Sequence, residues 1–217
     1  MSEKEIITSK RLGESFTRLR HSSGLELRLC PMKGFASSFA LMTVRCGSSD
    51  IRFGSCAEDV AEVPAGIAHF LEHKLFESEE GDAFERFAAT GANANAYTSF
   101  DRTAYLFSCT ERFDESIEIL LDFVTKPYFT RETVAKEQGI IAQEIKMYED
   151  SADWRVMFNL LGAMYEKNPI RTDIAGTVDS IAEIDERLLY RCYDAVYDLS
   201  NMVLTVAGGF DIDTVLG

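Results

Sequence analysis

Cysteine is scarce in this sequence and follows no recognisable framework. The five cysteines, at positions 30, 46, 56, 109 and 192, are an odd number and form no C-x-x-C pair. Such an arrangement argues against a disulfide framework and against a zinc site built from thiolates. We therefore expect the thiols to be reduced and mostly buried.

Long apolar runs are also missing. No run approaches the roughly 20 apolar residues that span a membrane. The first ten residues mix charges of both signs and lack the apolar centre of a signal peptide. These absences argue against a membrane protein and predict a soluble protein located in the cytoplasm.

Basic residues are outnumbered by acidic ones. The 22 Lys and Arg residues face 36 Asp and Glu residues, which gives a formal net charge of −14. This charge repels phosphate backbones and anionic lipids, so we expect neither nucleic acid nor membrane as a partner. The acidity either attracts basic substrates or only keeps the protein soluble, and the sequence leaves both interpretations open.

The apolar pattern predicts one mixed domain over residues 1–217. Alternating or continuous apolar runs predict strands over 25–29, 39–44, 94–98, 103–109 and 202–207. Helical spacing predicts helices over 65–76, 82–90, 113–124, 130–150, 154–165 and 185–196. We expect a two-layer α+β fold in which helices cover one face of a mainly antiparallel sheet, with the first two strands as neighbours joined through Lys33-Gly34. Because a new element begins at Asp211, just before the end, we expect a fragment of a longer protein.

Histidine is rare, with three residues, and two of them stand close together. His69 and His73 lie four apart in a segment predicted to be a buried helix, and Glu72 completes an H-x-x-E-H pattern. Positions i and i+4 of a helix face the same side, so both imidazoles can bind one metal ion, beside which Glu72 can act as a general base. The alternative is a pair of ordinary core histidines, with Glu72 paired to Lys74 or Lys146. Three ionisable groups on one buried stripe favour the metal.

A catalytic zinc site also needs a third protein ligand. The remaining histidine, His21, is distant in sequence, so carboxylates on the helix over 130–150 are better candidates. Glu137 and Glu144 are two helical turns apart and share a face with Ile140, Ile141 and Tyr148, and we expect both isoleucines to be buried. The spacing leaves Glu137, Glu144 and Glu149 open as ligands, and it also allows all three to be capping or surface carboxylates.

Four stretches together resemble the pitrilysin or insulinase family of zinc peptidases, the inverzincins named for H-x-x-E-H. They are P-A-G-I-A-H-F-L-E-H-K-L-F at 64–76, N-A-Y-T-S at 95–99, E-Q-G-I-I-A-Q-E-I at 137–145 and N-M-V-L-T-V-A-G-G at 201–209. The resemblance covers nearly the whole chain. It implies the N-terminal domain of such an enzyme, with the fold of a mitochondrial-processing-peptidase-like metalloenzyme domain.

The resemblance also selects among the site residues. It implies a zinc ion bound by His69, His73 and Glu144, with Glu137 as the catalytic carboxylate that supports the site. Glu72 would activate a zinc-bound water for the hydrolysis of extended or unfolded peptides. The expected activity is therefore that of a zinc metalloendopeptidase.

The substrate is expected to add as an extra strand along Asn95, Ala96 and Tyr97, as the resemblance implies. The alternative is that these residues form an ordinary half-buried sheet edge. Because members of the family close two similar halves around a peptide, we expect this chain to need a C-terminal half or a homologous subunit. A homodimer or a heterodimer would satisfy that need.

Two rival functions remain open. The first is a subunit without catalytic activity that serves assembly or binding in a two-part complex, although such a subunit has no need of the base Glu72. The second is a lyase acting on S-ribosylhomocysteine, which also uses an H-x-x-E-H helix but takes a cysteine as its third ligand. Cys109 and Cys192 lack the matching sequence context for that role.

Overall fold

The computed structural model describes residues 4–53, 61–79 and 81–216. Strands in these ranges are Glu5–Ser9 (β1), Glu14–Arg20 (β2), Glu26–Pro31 (β3), Ser38–Val44 (β4), Arg52–Phe53 (β5), Ala61–Glu62 (β6), Glu77–Ser78 (β7), Gly81–Asp82 (β8), Asn93–Thr98 (β9), Thr103–Cys109 (β10) and Met202–Gly208 (β11). The α-helices are Ile67–Leu75 (α1), Ala83–Thr90 (α2), Phe113–Thr125 (α3), Arg131–Glu149 (α4), Ala152–Met164 (α5), Val178–Ala182 (α6), Glu186–Val196 (α7) and Ile212–Leu216 (α8).

The main sheet contains seven of the described strands in the order β1-β2-β3-β11-β4-β10-β9. Its neighbours are antiparallel except for β3 and β11, which run parallel. Side chains alternate across the sheet: in β4, Ala40, Met42 and Val44 are fully buried, whereas Phe39 on the opposite face is 39% exposed. This alternation is typical of a sheet that packs against helices on one side, and the predicted α+β fold is confirmed.

Helix α1 lies inside the core and not on its surface. Phe70, Leu71 and Leu75 of this helix are at most 1% exposed and belong to the same apolar cluster as Tyr105 of β10 and Ile141 of α4. Because interiors are close-packed, polar side chains on the remaining stripe of α1 have positions fixed by their neighbours. The core therefore sets the geometry of the H-x-x-E-H residues.

The expected pairing of the strands on either side of Lys33-Gly34 is wrong. Strand β11 lies between β3 and β4 and bonds to both. The loop between β3 and β4 closes over the end of β11, where Met32 N donates to Gly208 O and Gly209 N donates to Ser37 O. The C-terminal strand can take this central place because its alternate side chains are fully apolar and belong to the core.

Two further features differ from the sequence analysis. An N-terminal hairpin, β1 with β2, extends the sheet where we predicted no strands, because its residues are mostly exposed and carry little apolar signal. The second is Lys74: the alternative that pairs it with Glu72 is wrong, because Lys74 is fully buried and pairs with Glu77.

The cysteines that the structure describes agree with the expectation of buried free thiols. Cys46, Cys109 and Cys192 are buried and Cys30 is partly exposed. Cys56 lies outside the described residues. Within the described ranges, no helix is both long and apolar enough to cross a membrane. The cytoplasmic location stays a prediction.

Candidate metal centre

Helix α1 presents its two histidines to one side. The helix begins after Gly66, whose φ of 91° is left-handed, and the chain can turn there because glycine has no Cβ. His69 is 9% exposed, and the rings of His69 and His73 lie 4.5 Å apart between centroids. The i, i+4 spacing therefore brings both imidazoles to one place.

Helix α4 supplies the carboxylates from a distant part of the chain. It starts with a capping box between Thr130 and Thr133 and runs for 19 residues. Ile141 is fully buried against the core, and this contact turns Glu137 and Glu144 toward α1. The expectation that Ile140 is buried is wrong, because its side chain is 45% exposed.

His69, His73 and Glu144 form a compact group. One candidate ligand atom from each residue lies within 4.8 Å of the others. Nε2 of His69 is 3.7 Å from one carboxylate oxygen of Glu144, and Nε2 of His73 is 3.4 Å from the other. The carboxylate therefore faces the same nitrogen of both rings.

The other two glutamates considered for this site have different environments. Glu137 lies on the far side of His73, with Oε1 2.9 Å from Nδ1, and its side chain is 14% exposed. Glu149 is exposed at the end of α4. Among the three, Glu144 is the one that faces both Nε2 atoms, and Glu137 contacts the outer nitrogen of His73.

Glu72 lies beside this group and is held by a strand. The hydroxyl of Thr98, on β9, donates a hydrogen bond of 2.6 Å to Oε2 of Glu72. Burial raises the pKa of Glu72, as does the charge of Glu144, against the lowering effects of the Thr98 hydrogen bond and of His73. A carboxylate whose pKa is raised toward neutrality has the basicity that a general base needs.

The pKa values of the two histidines are shifted in opposite directions. Burial, together with the charge of His73, lowers the pKa of His69 to about 3, so this ring is neutral at physiological pH. Burial also acts to lower the pKa of His73, but the hydrogen bond that this ring donates to Glu137 and the charges of Glu72, Glu137 and Glu144 outweigh it and raise the pKa. The carboxylates around His73 therefore favour a positive charge on that ring.

A zinc ion fits the residues present. Two imidazole nitrogens and one carboxylate oxygen are the protein ligands of one common class of catalytic zinc site. Because Glu137 engages Nδ1 of His73, Nε2 of that ring is available to a metal, and a carboxylate in this position fixes the tautomer. Nδ1 of His69 is buried and lacks a hydrogen-bond partner among the described residues.

Strand β9, which carries the predicted substrate residues, forms one end of the main sheet. Two clefts lie along it, one of 530 Å³ and one of 220 Å³. Glu72, His73 and Ala96 line both clefts, whereas Asn95 lines the larger and Tyr97 the smaller. Asn95 to Tyr97 therefore lie at an edge of the sheet beside the histidines, and the binding of substrate along them stays a prediction.

Two aromatic residues at the smaller cleft were missed by the sequence analysis as site residues. Tyr148 and Trp154 line it together with Glu144, and their rings stack with centroids 4.6 Å apart. The indole nitrogen of Trp154 donates to Asp173. A signal was present in the sequence, since Tyr148 is one helical turn after Glu144 and Trp154 is the single tryptophan of the chain.

Comparison with known proteins supplies the family. Residues 45–178 match the model of the insulinase family, peptidase family M16. The chain belongs to this family. The uncharacterised zinc protease YmfH of Bacillus subtilis is 48% identical over 97% of this chain and 49% of its own length. The β subunit of the mitochondrial processing peptidase of Caenorhabditis elegans is 32% identical over 70% of this chain and 34% of its own length.

Solved structures of the insulinase family agree with the fold. An M16-like peptidase from Alicyclobacillus acidocaldarius superposes with a TM-score of 0.88 at 46% identity, covering 99% of this chain and 48% of its own. Pitrilysin superposes with a TM-score of 0.81 at 16% identity, covering 99% of this chain and 24% of its own. This chain spans about half the length of YmfH and of the Alicyclobacillus protein. The resemblance inferred from sequence motifs is confirmed.

Proposed function

We propose that the chain is the metal-binding domain of a zinc endopeptidase that cleaves extended or unfolded peptides. The observation that carries this proposal is the group formed by Nε2 of His69, Nε2 of His73 and the carboxylate of Glu144, with Glu72 adjacent. Family membership and relatives named as zinc proteases agree with it. Bound there, zinc would supply the positive charge that polarises the scissile carbonyl and acidifies water.

The residues of the chain divide the remaining work. Glu72 accepts a proton from the attacking water and later passes it to the leaving amine. Glu137 holds the ring of His73 in the orientation that exposes Nε2. Both roles depend on carboxylates that the core keeps at fixed distances from the histidines.

Strand β9 is the proposed binding site for the peptide backbone. An extended peptide that pairs with the open edge at Asn95 to Tyr97 lies across both clefts and therefore beside Glu72. Main-chain hydrogen bonds of this kind accept any sequence, so side-chain preference comes from the clefts. This arrangement suits unfolded or short peptides and excludes a folded chain, whose backbone is already paired.

The relatives YmfH and the Alicyclobacillus protein are about twice as long as this chain, and their length suggests what completes the site. Since this chain spans about half of them, we propose that a second, similar half or a homologous subunit covers the clefts and completes the binding site. A subunit that binds zinc but serves only assembly is the alternative function. A precedent with the same fold exists, since one solved structure, from Pseudomonas fluorescens, is that of an inactive peptidase M16 domain.

Zinc content and peptide cleavage test the proposal together. We expect the purified chain to bind one zinc ion, and we expect it to cleave an unstructured fluorogenic peptide when the second half or homologous subunit is present. We expect Glu72→Gln to abolish cleavage and keep the zinc, whereas Glu149→Gln, a change at an exposed glutamate of α4, should alter neither. Zinc binding without cleavage when that second half or subunit is present would favour the assembly subunit, and absence of zinc binding would contradict the metal centre itself.

A further inference from the structure

Glu72 is joined to the strand that borders the clefts by one short hydrogen bond. The donor is the hydroxyl of Thr98 and the acceptor is Oε2 of Glu72, at 2.6 Å. Thr98 shares the α1-facing side of β9 with Ala94 and Ala96, and all three are half-buried. A glutamate side chain has several freely rotating bonds, and one strong contact at its end removes most of that freedom.

The side chain of Thr98 is well suited to fix the orientation of the Glu72 carboxylate. Its β-branched side chain has a restricted χ1 angle, so the hydroxyl points where the backbone places it. With Oε2 engaged, Oε1 is the oxygen of Glu72 left for a proton transfer. A base must lie within about 2.6–3.2 Å of the proton that it takes, and small errors in that position are costly.

The backbone that carries Thr98 is itself held firmly at one end. The turn after β9 closes through Ser99 N donating to Arg102 O at 2.8 Å. Segment 47–49 then binds this turn from the side, where Ser48 N donates to Ser99 O at 2.9 Å. A Cβ on Gly47 would lie 2.5 Å from Arg102 N, so glycine permits this close approach. The edge of β9 that faces away from β10 has no paired strand among the described residues.

We propose that Thr98 is a positioning residue, whose hydroxyl fixes the carboxylate of Glu72 in the orientation in which it acts as base. The proposal rests on the proposed function and extends it. One strand then does two things: its open edge receives the peptide backbone, and its inward face aligns the base relative to that backbone. The positions of the peptide and of Glu72 are then both set by β9, and segment 47–49 anchors the end of this strand.

Kinetics of two substitutions test this role. Thr98→Val removes the hydroxyl and keeps the branched shape, whereas Thr98→Ser keeps the hydroxyl. We expect Thr98→Val to lower kcat about 10- to 100-fold, with KM and zinc affinity within about twofold of wild type, and Thr98→Ser to restore most of kcat. Thr205→Val is the matched control at a half-buried position of β11, which is not adjacent to β9, and should leave kcat unchanged.

A second measurement needs no activity. In the metal-free protein, Thr98→Val should lower the denaturation midpoint in the wild-type background and have a smaller effect in a Glu72→Ala background, because the bond is already lost there. Equal effects in both backgrounds would overturn the proposal, as would wild-type kcat in Thr98→Val or loss of kcat in Thr98→Ser equal to that in Thr98→Val. If the wild-type chain cleaves nothing even with the second half or homologous subunit present, the proposed function fails, and the coupling between Thr98 and Glu72 alone decides whether the strand holds this carboxylate.

Discussion

Nδ1 of His73 lies 2.9 Å from Oε1 of Glu137, while Nε2 of the same ring lies 3.4 Å from Glu144. The ring is therefore held between two carboxylates of one helix, which approach its two nitrogens from different sides. Because Glu137 takes the outer nitrogen, it determines which nitrogen remains for a metal ion. The tautomer of a metal-binding histidine is commonly fixed in this way.

Removal of Glu137 should therefore weaken metal binding without removing a ligand. We expect Glu137→Ala to lower zinc affinity about 10- to 100-fold, because His73 loses the contact that orients its ring. Competition with a chromophoric chelator measures this change. Glu149→Ala removes a carboxylate of the same helix from an exposed position and should leave affinity unchanged. Equal affinities in Glu137→Ala and wild type would show that His73 needs no orienting partner.

The open edge of β9 gives a prediction about substrate. The backbone N–H of Ala96 donates to Oδ1 of Asn95 at 2.8 Å, so a peptide that takes this N–H must displace the Asn95 side chain. We expect Ala96→Pro, which removes the N–H, to lower kcat/KM for an extended peptide roughly tenfold, as expected for about one hydrogen bond. Zinc affinity should not change.

Steady-state kinetics measures the change in kcat/KM, and zinc titration checks that metal affinity is kept. The strand should tolerate the substitution, because proline is accepted on an edge strand. A matched change, Ala94→Pro, lies on the same face of β9 but outside the residues that line the two clefts. It should lower kcat/KM less than Ala96→Pro. Unaltered kcat/KM in Ala96→Pro would mean that the peptide does not pair with this edge.

Gly66 and Gly139 should respond to alanine in opposite directions. Gly66 has a φ of 91°, and a Cβ there would overlap the backbone of Ala175. Gly66→Ala should destabilise the fold by about 1–3 kcal/mol and shift the start of the metal helix, weakening zinc binding. Gly139 lies within α4 with open space around it, so Gly139→Ala should stabilise the fold by about 0.5–1 kcal/mol. Denaturant unfolding measures both changes, and equal signs would contradict the predicted strain at Gly66.

The cysteines should differ in reactivity. Burial raises the pKa of Cys46 to about 12 and of Cys192 to about 11, so at pH 8 both thiols are almost entirely protonated. Cys30 is partly exposed. In a Cys56→Ser background, which removes the cysteine outside the described residues, a chromogenic disulfide should label Cys30 first.

Unfolding should then release the other thiols, and a Cys30→Ser, Cys56→Ser double variant should lose the rapid phase. Because the pKa of Cys46 is about 12, this thiol should stay largely protonated at pH 10 and react slowly there. Labelling of Cys46 at the rate of Cys30 would contradict its burial.

Much of the fold was predictable because the signals are local. Helix α1, helix α4 and strands β9 to β11 follow apolar periodicities of 3.6 and 2 that any short window of sequence contains. The position of β11 between β3 and β4 was not predictable in this way, since the pattern of a strand does not specify its neighbours. The N-terminal hairpin was missed because an exposed pair of strands carries little apolar periodicity.

The candidate site was likewise predictable where its residues are close in sequence and not where they are distant. The sequence by itself determined that His69 and His73 share a helix face with Glu72 near them, because helix geometry fixes what lies three and four residues apart. Only the tertiary structure decided which distant groups meet them: Glu144 at both Nε2 atoms, Glu137 at Nδ1 of His73, and Thr98 at Glu72. Those contacts depend on how α4 and β9 pack against α1, and close packing of the whole core, which no single segment contains, fixes that arrangement.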